Sequence, residues 1–179
     1  MAALKQKIID EIIRVEGGYV NDHNDAGGET NFGITRAVAK ANGYYGAMQT
    51  MPRSVALDIY CEKYWDSVKA GSVSLLSEAI AEEMVDTAVN MGPSRAVQFL
   101  QRSLNVLNKG GQLYDDLLAD SIIGPTTLAA LSLYLRKRDE IVLLRALNSL
   151  QGAFYIELAE RRGTDEAFLY GWLKNRVAI

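Results

Sequence analysis

Apolar residues in this chain recur every three or four positions, and nowhere do they alternate with the two-residue period of a half-buried strand. Segments of that kind bury their apolar side only as helices. The first stripe is Leu4, Ile8, Ile9, Ile12, Ile13 and Val15, with Lys5, Lys7, Asp10, Glu11 and Arg14 between them. Thr35 reads as the N-cap of a helix through about Ala41, which Asn42-Gly43 ends. Thr50-Met51-Pro52 opens the next helix, with Thr50 as cap and Pro52 in the first turn, and it runs to about Trp65. Gly71-Ser72 reads as a break, followed by a long apolar helix from Ser74 to Asn90. Gly92-Pro93-Ser94 interrupts, and Ser94 to Leu107 is helical again. Turns are expected at Asn108-Lys109-Gly110-Gly111 and from Asp120 to Pro125, then a helix from Thr126 to about Leu135. Asp139 opens the longest helix, reaching about Arg161, and a short last helix carries Trp172. The expected architecture is mainly α, with at most a very small β-hairpin.

The exception to this regularity is the stretch from Val15 to Thr35, V-E-G-G-Y-V-N-D-H-N-D-A-G-G-E-T-N-F-G-I-T. The first helix should end at Glu16, because Gly17-Gly18 follow and glycine reaches the left-handed conformation that closes a helix. A carboxylate in a last turn sits at the negative end of the helix dipole, and packing against the protein body adds desolvation. Both favour a protonated Glu16, which is what a general acid needs. A glycosidic bond is cleaved by two carboxylates without metal or cofactor. Asp25, with Asp22 as second choice, is the partner carboxylate on the returning loop, and Thr30 and Asn31 are placed to hold a water or a substrate hydroxyl. Each residue also has a plainer reading: Glu16 as an exposed helix-end acid, Asp22 and Asp25 as turn formers. Tyr19 and Trp65 are aromatic candidates for stacking on sugars, or core residues. Asp86 and Asn90 lie four apart on one helix face, a polar pair suited to a cleft or to bonds between helices.

Composition excludes several other classes. A net charge of −3 with 23% charged residues offers no polyanion-binding surface, so nucleic acid is not an expected partner. The single cysteine, Cys61, permits no internal disulfide and reads as an inert thiol. The lone His23 lacks neighbours for a metal site, and the Asp spacing does not follow a calcium-binding EF-hand. No apolar run is long enough to span a bilayer, and the N-terminal residues lack the apolar core and cleavage site of a signal peptide. The expectation is a monomer made in the cytoplasm that acts in the periplasm after release.

E-G-G-Y-V-N-D, then D-A-G-G-E-T-N-F-G-I-T and Y-C-E-K-Y-W-D, resemble the glycoside hydrolase family 108 muramidases, found as phage endolysins and as secretion-assisting enzymes. V-D-T-A-V-N-M-G-P-S-R-A-V-Q-F-L-Q, I-G-P-T-T-L and G-W-L-K-N-R resemble the predicted peptidoglycan-binding domain that accompanies them. The resemblance implies a lysozyme-like, two-lobed helical fold with a substrate cleft, divided into a catalytic region over 1–91 and a peptidoglycan-binding region over 92–179. It implies an N-acetylmuramidase that cleaves the β-1,4 bond between N-acetylmuramic acid and N-acetylglucosamine in peptidoglycan glycan strands, with Glu16 as catalytic acid and Asp25 and Thr30 in supporting roles. Tyr19, Asp22, Asn31, Trp65, Asp86 and Asn90 are the expected substrate contacts, no cofactor is required, and release to the wall calls for a pore such as a holin. A cell-wall binder without turnover, or a helical interaction protein, are the competing classes; a glutamate at position 16 and the Gly/Asp-rich loop speak against them. One departure is visible: where the family pattern has Asp-Gly before I-G-P, this chain has Asp120-Ser121, so a positive φ there would fall on serine.

Overall fold

The computed structural model describes residues 2–21 and 28–177, leaving aside the side chains of Ala2, Ala3, Val15 and Glu16. Asp22, His23 and Asp25 lie outside the described residues. The chain is mainly α with a single two-stranded hairpin among the described residues. It divides into two compact units, Met1–Ser67 and Val68–Ile179.

In the first unit, α1 (Ala2–Glu16) turns Ile8, Ile9 and Ile13 into the core and lies against α3 (Arg53–Tyr60), to which the Asp10–Arg53 ion pair also ties it. Gly17, at φ 82°, ends α1 where the paired glycines predict. The hairpin pairs β1 (Thr30–Asn31) with β2 (Ile34–Thr35), Thr30 opposite Thr35 and Asn31 opposite Ile34. Its two turn residues, Phe32 and Gly33, both have positive φ, 52° and 70°, the mark of a primed turn that matches strand twist. Thr35 then caps α2 (Arg36–Ala41), its hydroxyl accepting from the Val38 amide at 3.2 Å. Thr50 is not the cap of the next helix: it sits in a 3₁₀ turn, Met48–Thr50, and α3 begins at Arg53 with Pro52 in the cap position. From Cys61 to Asp66 the helix continues in wider, π-helical form.

The second unit holds α4 (Ala70–Ser74), α5 (Glu78–Met91), α6 (Pro93–Leu107), α7 (Pro125–Lys137), α8 (Glu140–Arg161) and α9 (Glu166–Arg176). The break expected at Gly71-Ser72 lies instead at 75–77. Gly71 and Ser72 fall inside α4, and Ser77 caps α5 by accepting from the Ile80 amide at 3.0 Å. Ile80, Met84 and Val85 of α5 pack with Val97, Leu100 and Leu104 of α6 and Leu143 and Leu147 of α8 in the core. Gly92 joins α5 to α6 at φ 90° and ψ 148°, a conformation essentially restricted to glycine. Asp139 caps α8, the longest helix, its carboxylate accepting from the Ile141 amide at 2.9 Å.

The long connection from α6 to α7 is irregular backbone organised by amides of α6. Gln101, 1% exposed, donates to Asp120 Oδ1 at 2.9 Å and to the Ile122 carbonyl at 3.0 Å, and accepts from the Ser121 amide at 3.0 Å. Ser121 has φ 65°, so the positive φ does fall on the serine, and the Gln101 bonds hold it there. Among the described residues no helix is long and apolar enough to cross a membrane.

Candidate functional site

The end of α1 and the hairpin build one site within the first unit. Glu16 is the last residue of α1; its side chain lies outside the described residues. Gly17 and Gly18 directly after it line a groove of about 660 Å³, together with Phe32 from the hairpin turn, Asp10 and Arg14 from α1, and Arg53 from α3. That volume lies in the ordinary range for small-ligand sites. Gly17 and Gly18 have open space where a Cβ would stand, so ligand can approach the backbone there.

Past the glycines, Val20 and Thr30 exchange backbone hydrogen bonds of 2.9 and 2.8 Å as an isolated antiparallel bridge. This bridge pins both ends of the segment that carries Asp22 and Asp25. It is braced by Glu29, which accepts from the Tyr19 hydroxyl at 2.7 Å through Oε1 and from Arg36 Nε at 2.8 Å through Oε2, with Arg36 Nη2 on the same oxygen. The Arg36 amide also donates to the Glu29 carbonyl at 3.0 Å. The Tyr19 hydroxyl and then the Arg36 guanidinium hold the Glu29 carboxyl below the usual glutamate range, while the hydrogen bond to Glu29, and burial after it, push the Tyr19 hydroxyl up. Glu29 is thus an ionised brace, unsuited to donating a proton. The sequence reading passed over it, although its position between Gly28 and the strand, seven residues before an arginine, was the available signal.

The structure brings Tyr19, Thr30 and Asn31 together around this hairpin. Thr30 is half-buried and contributes its backbone to both the Val20 bridge and the β1–β2 pairing. Asn31 is 5% exposed, and its Nδ2 donates to the Met48 carbonyl at 2.7 Å, which ties β1 to the 3₁₀ turn. Trp65 is 3% exposed and belongs to the core, so its ring offers no open face for stacking on a sugar. In the same π-helical segment, Cys61 is half-buried and burial pushes its thiol up. Asp86 and Asn90 belong to the second unit. Asn90 Nδ2 donates to the Asp86 carbonyl at 2.7 Å, and the Asp86 carboxylate accepts from Gln151 Nε2 and Arg176 Nη1, each at 2.9 Å. The bonds between helices anticipated for this pair are therefore made at Asp86, which also lines a second groove.

Comparison with known proteins adds two family assignments. Residues 9–92 match the family model "Glycosyl hydrolase 108", and residues 95–177 match "Predicted Peptidoglycan domain". Among solved structures, that of Brucella abortus SagA is similar at 29% identity and a TM-score of 0.69, over 97% of this chain and 90% of that one. No curated protein matches the chain.

Proposed function

We propose, from the premise that this chain is a glycosyl hydrolase of the 108 family joined to a predicted peptidoglycan domain, that it is an N-acetylmuramidase cleaving the β-1,4 bond between N-acetylmuramic acid and N-acetylglucosamine. The observation that carries the reading is the termination of α1 at Glu16, on a positive-φ glycine at the edge of an open groove, inside the segment that matches the hydrolase family.

Glu16 is the proposed general acid. At a helix C-terminus the dipole disfavours the carboxylate and favours the protonated form. It gives its proton to the leaving glycosidic oxygen as oxocarbenium character builds on the ring of the muramic acid. Asp25, or Asp22, then meets that charge or activates the attacking water, with Thr30 placing the water; the separation of the two carboxyls decides between inversion and retention. The braced neck formed by Tyr19, Glu29 and Arg36 fastens the chain on either side of the segment that carries these two acids in the sequence, which supports this reading.

The test is loss of turbidity of purified peptidoglycan. Wild type lyses, and Glu16→Gln loses about two to four orders of magnitude while keeping its melting temperature, the range that a positioned proton donor contributes. Mass spectrometry of the products finds reducing-end N-acetylmuramic acid. Undiminished lysis in Glu16→Gln removes the residue from its role, and a wild type that binds peptidoglycan without lysing it is a wall binder instead.

A further inference from the structure

Helices α5, α8 and α9 enclose a groove of about 550 Å³ in the second unit. Glu82, Glu83 and Asp86 of α5 form its acidic wall, and Arg145 of α8 and Arg176 of α9 bring positive charge to the same space. Ile141 and Leu144 give it an apolar side.

The charges in this groove are not evenly matched. Asp86 is satisfied by Arg176 Nη1 and by Gln151 Nε2, each at 2.9 Å. Glu83 receives only neutral donors, Asn148 Nδ2 at 3.0 Å and the Thr87 hydroxyl at 3.3 Å, and makes no ion pair with any described residue. Burial, then the charge of Asp86, push its carboxyl up to about 7. Two further polar atoms behind this wall have no hydrogen-bond partner: Gln151 Oε1 and the Tyr155 hydroxyl, on residues 0% and 3% exposed. The Tyr155 hydroxyl is raised by burial and feels the charges of Asp86, Arg176 and Glu83, so it faces the same cluster. Buried polar groups are ordinarily paired, and unused capacity beside an open groove is capacity that a ligand's donors can fill.

We propose that this groove binds a diamino acid residue, with an aliphatic ammonium on Glu83, the methylene chain against Ile141 and Leu144, and the carboxylate on Arg145. What the wall lacks is donors, because Glu83 and Gln151 Oε1 both offer unused acceptor capacity, and an ammonium carries three donors and no acceptor. The groups facing Glu83 are Glu82, Asp86 and Thr87 on its own helix, Arg145, Asn148 and Tyr155 on α8, and Arg176 on α9. An arriving ammonium is the cation that Glu83 lacks, so near neutral pH binding ionises the carboxyl and its proton leaves to solvent. Cell-wall stem peptides carry diamino acids; that source rests on the proposed function, whereas the recognition chemistry does not.

Calorimetry on the full chain with meso-2,6-diaminopimelate, and with pimelate as the analogue lacking ammonium groups, tests it. Diaminopimelate binds with an enthalpy that depends on the buffer, reporting the released proton, and pimelate does not bind. Glu83→Gln weakens binding roughly tenfold or more, as expected for a lost charge-assisted bond, and Arg145→Gln also weakens it. In wild type, where folding is not in question, the NMR-detected titration of Glu83 moves downward on adding diaminopimelate. Equal binding of pimelate, unchanged affinity in Glu83→Gln, an unmoved titration or no binding overturns the proposal. Lysis lost in Glu16→Gln without diaminopimelate binding sinks this inference alone, and binding without lysis sinks the muramidase reading alone.

Discussion

Folding raises the affinity of the Glu83 carboxyl for its proton, through burial first and the Asp86 charge second. A carboxyl of that kind stabilises the fold fully below its unfolded value of 4.5, and the contribution is lost as pH rises through about 7. Glu83→Gln lacks this dependence. The stability difference, variant minus wild type, therefore grows by on the order of 2 kcal/mol across that window, read by urea denaturation at several pH values. At Ser121 the backbone bears the strain: a φ of 65° is one that glycine adopts freely and serine does not. Ser121→Gly gains up to about 1 kcal/mol, measured as a shift in urea midpoint at constant slope, because relief of the left-handed penalty exceeds the added unfolded-state entropy. This strain was legible beforehand from the missing Asp-Gly pair. Glu83 was not, because whether a glutamate in a polar-apolar helix is buried depends on which face α8 covers.

Helix ends that carry their own chemistry were the readable ones. Gly17 after Glu16, Thr35 before α2 and Asp139 before α8 each satisfy backbone groups that a helix terminus leaves open. The Ser77 cap was hidden, since Leu75 and Leu76 continue the apolar run through the break and both remain exposed. The π-helical turn at Cys61–Asp66 was hidden as well, because one widened turn leaves the residue types unchanged. Gly92 gives the sharpest test at this scale. It serves as the C-cap of α5 and the N-cap of α6, and a Cβ there meets nothing within 4 Å. Gly92→Ala thus reports backbone strain without a clash, and should cost about 1–3 kcal/mol in chemical denaturation. A cost near zero would mean that the α5–α6 junction relaxes.

For the molecule as a whole, the seam between the two family matches, 92–95, and the seam between compact units, after Ser67, do not coincide. Helix α5 belongs to the hydrolase match by sequence, yet its Ile80, Met84 and Val85 are buried in the second unit. Full burial of such side chains contributes about 1.5–3 kcal/mol each, comparable together with the 5–15 kcal/mol of a typical domain. A fragment covering 68–179 is therefore expected to unfold cooperatively, and one covering 93–179 to lack a melting transition by circular dichroism. The bridge between Val20 and Thr30 carries a further consequence. With both feet of the intervening segment fastened, the entropy of closing it grows only with the logarithm of its length. A change in the number of residues between Val20 and Thr30 therefore adds little to the cost of closure, and the two backbone bonds that fasten the ends are expected to survive it.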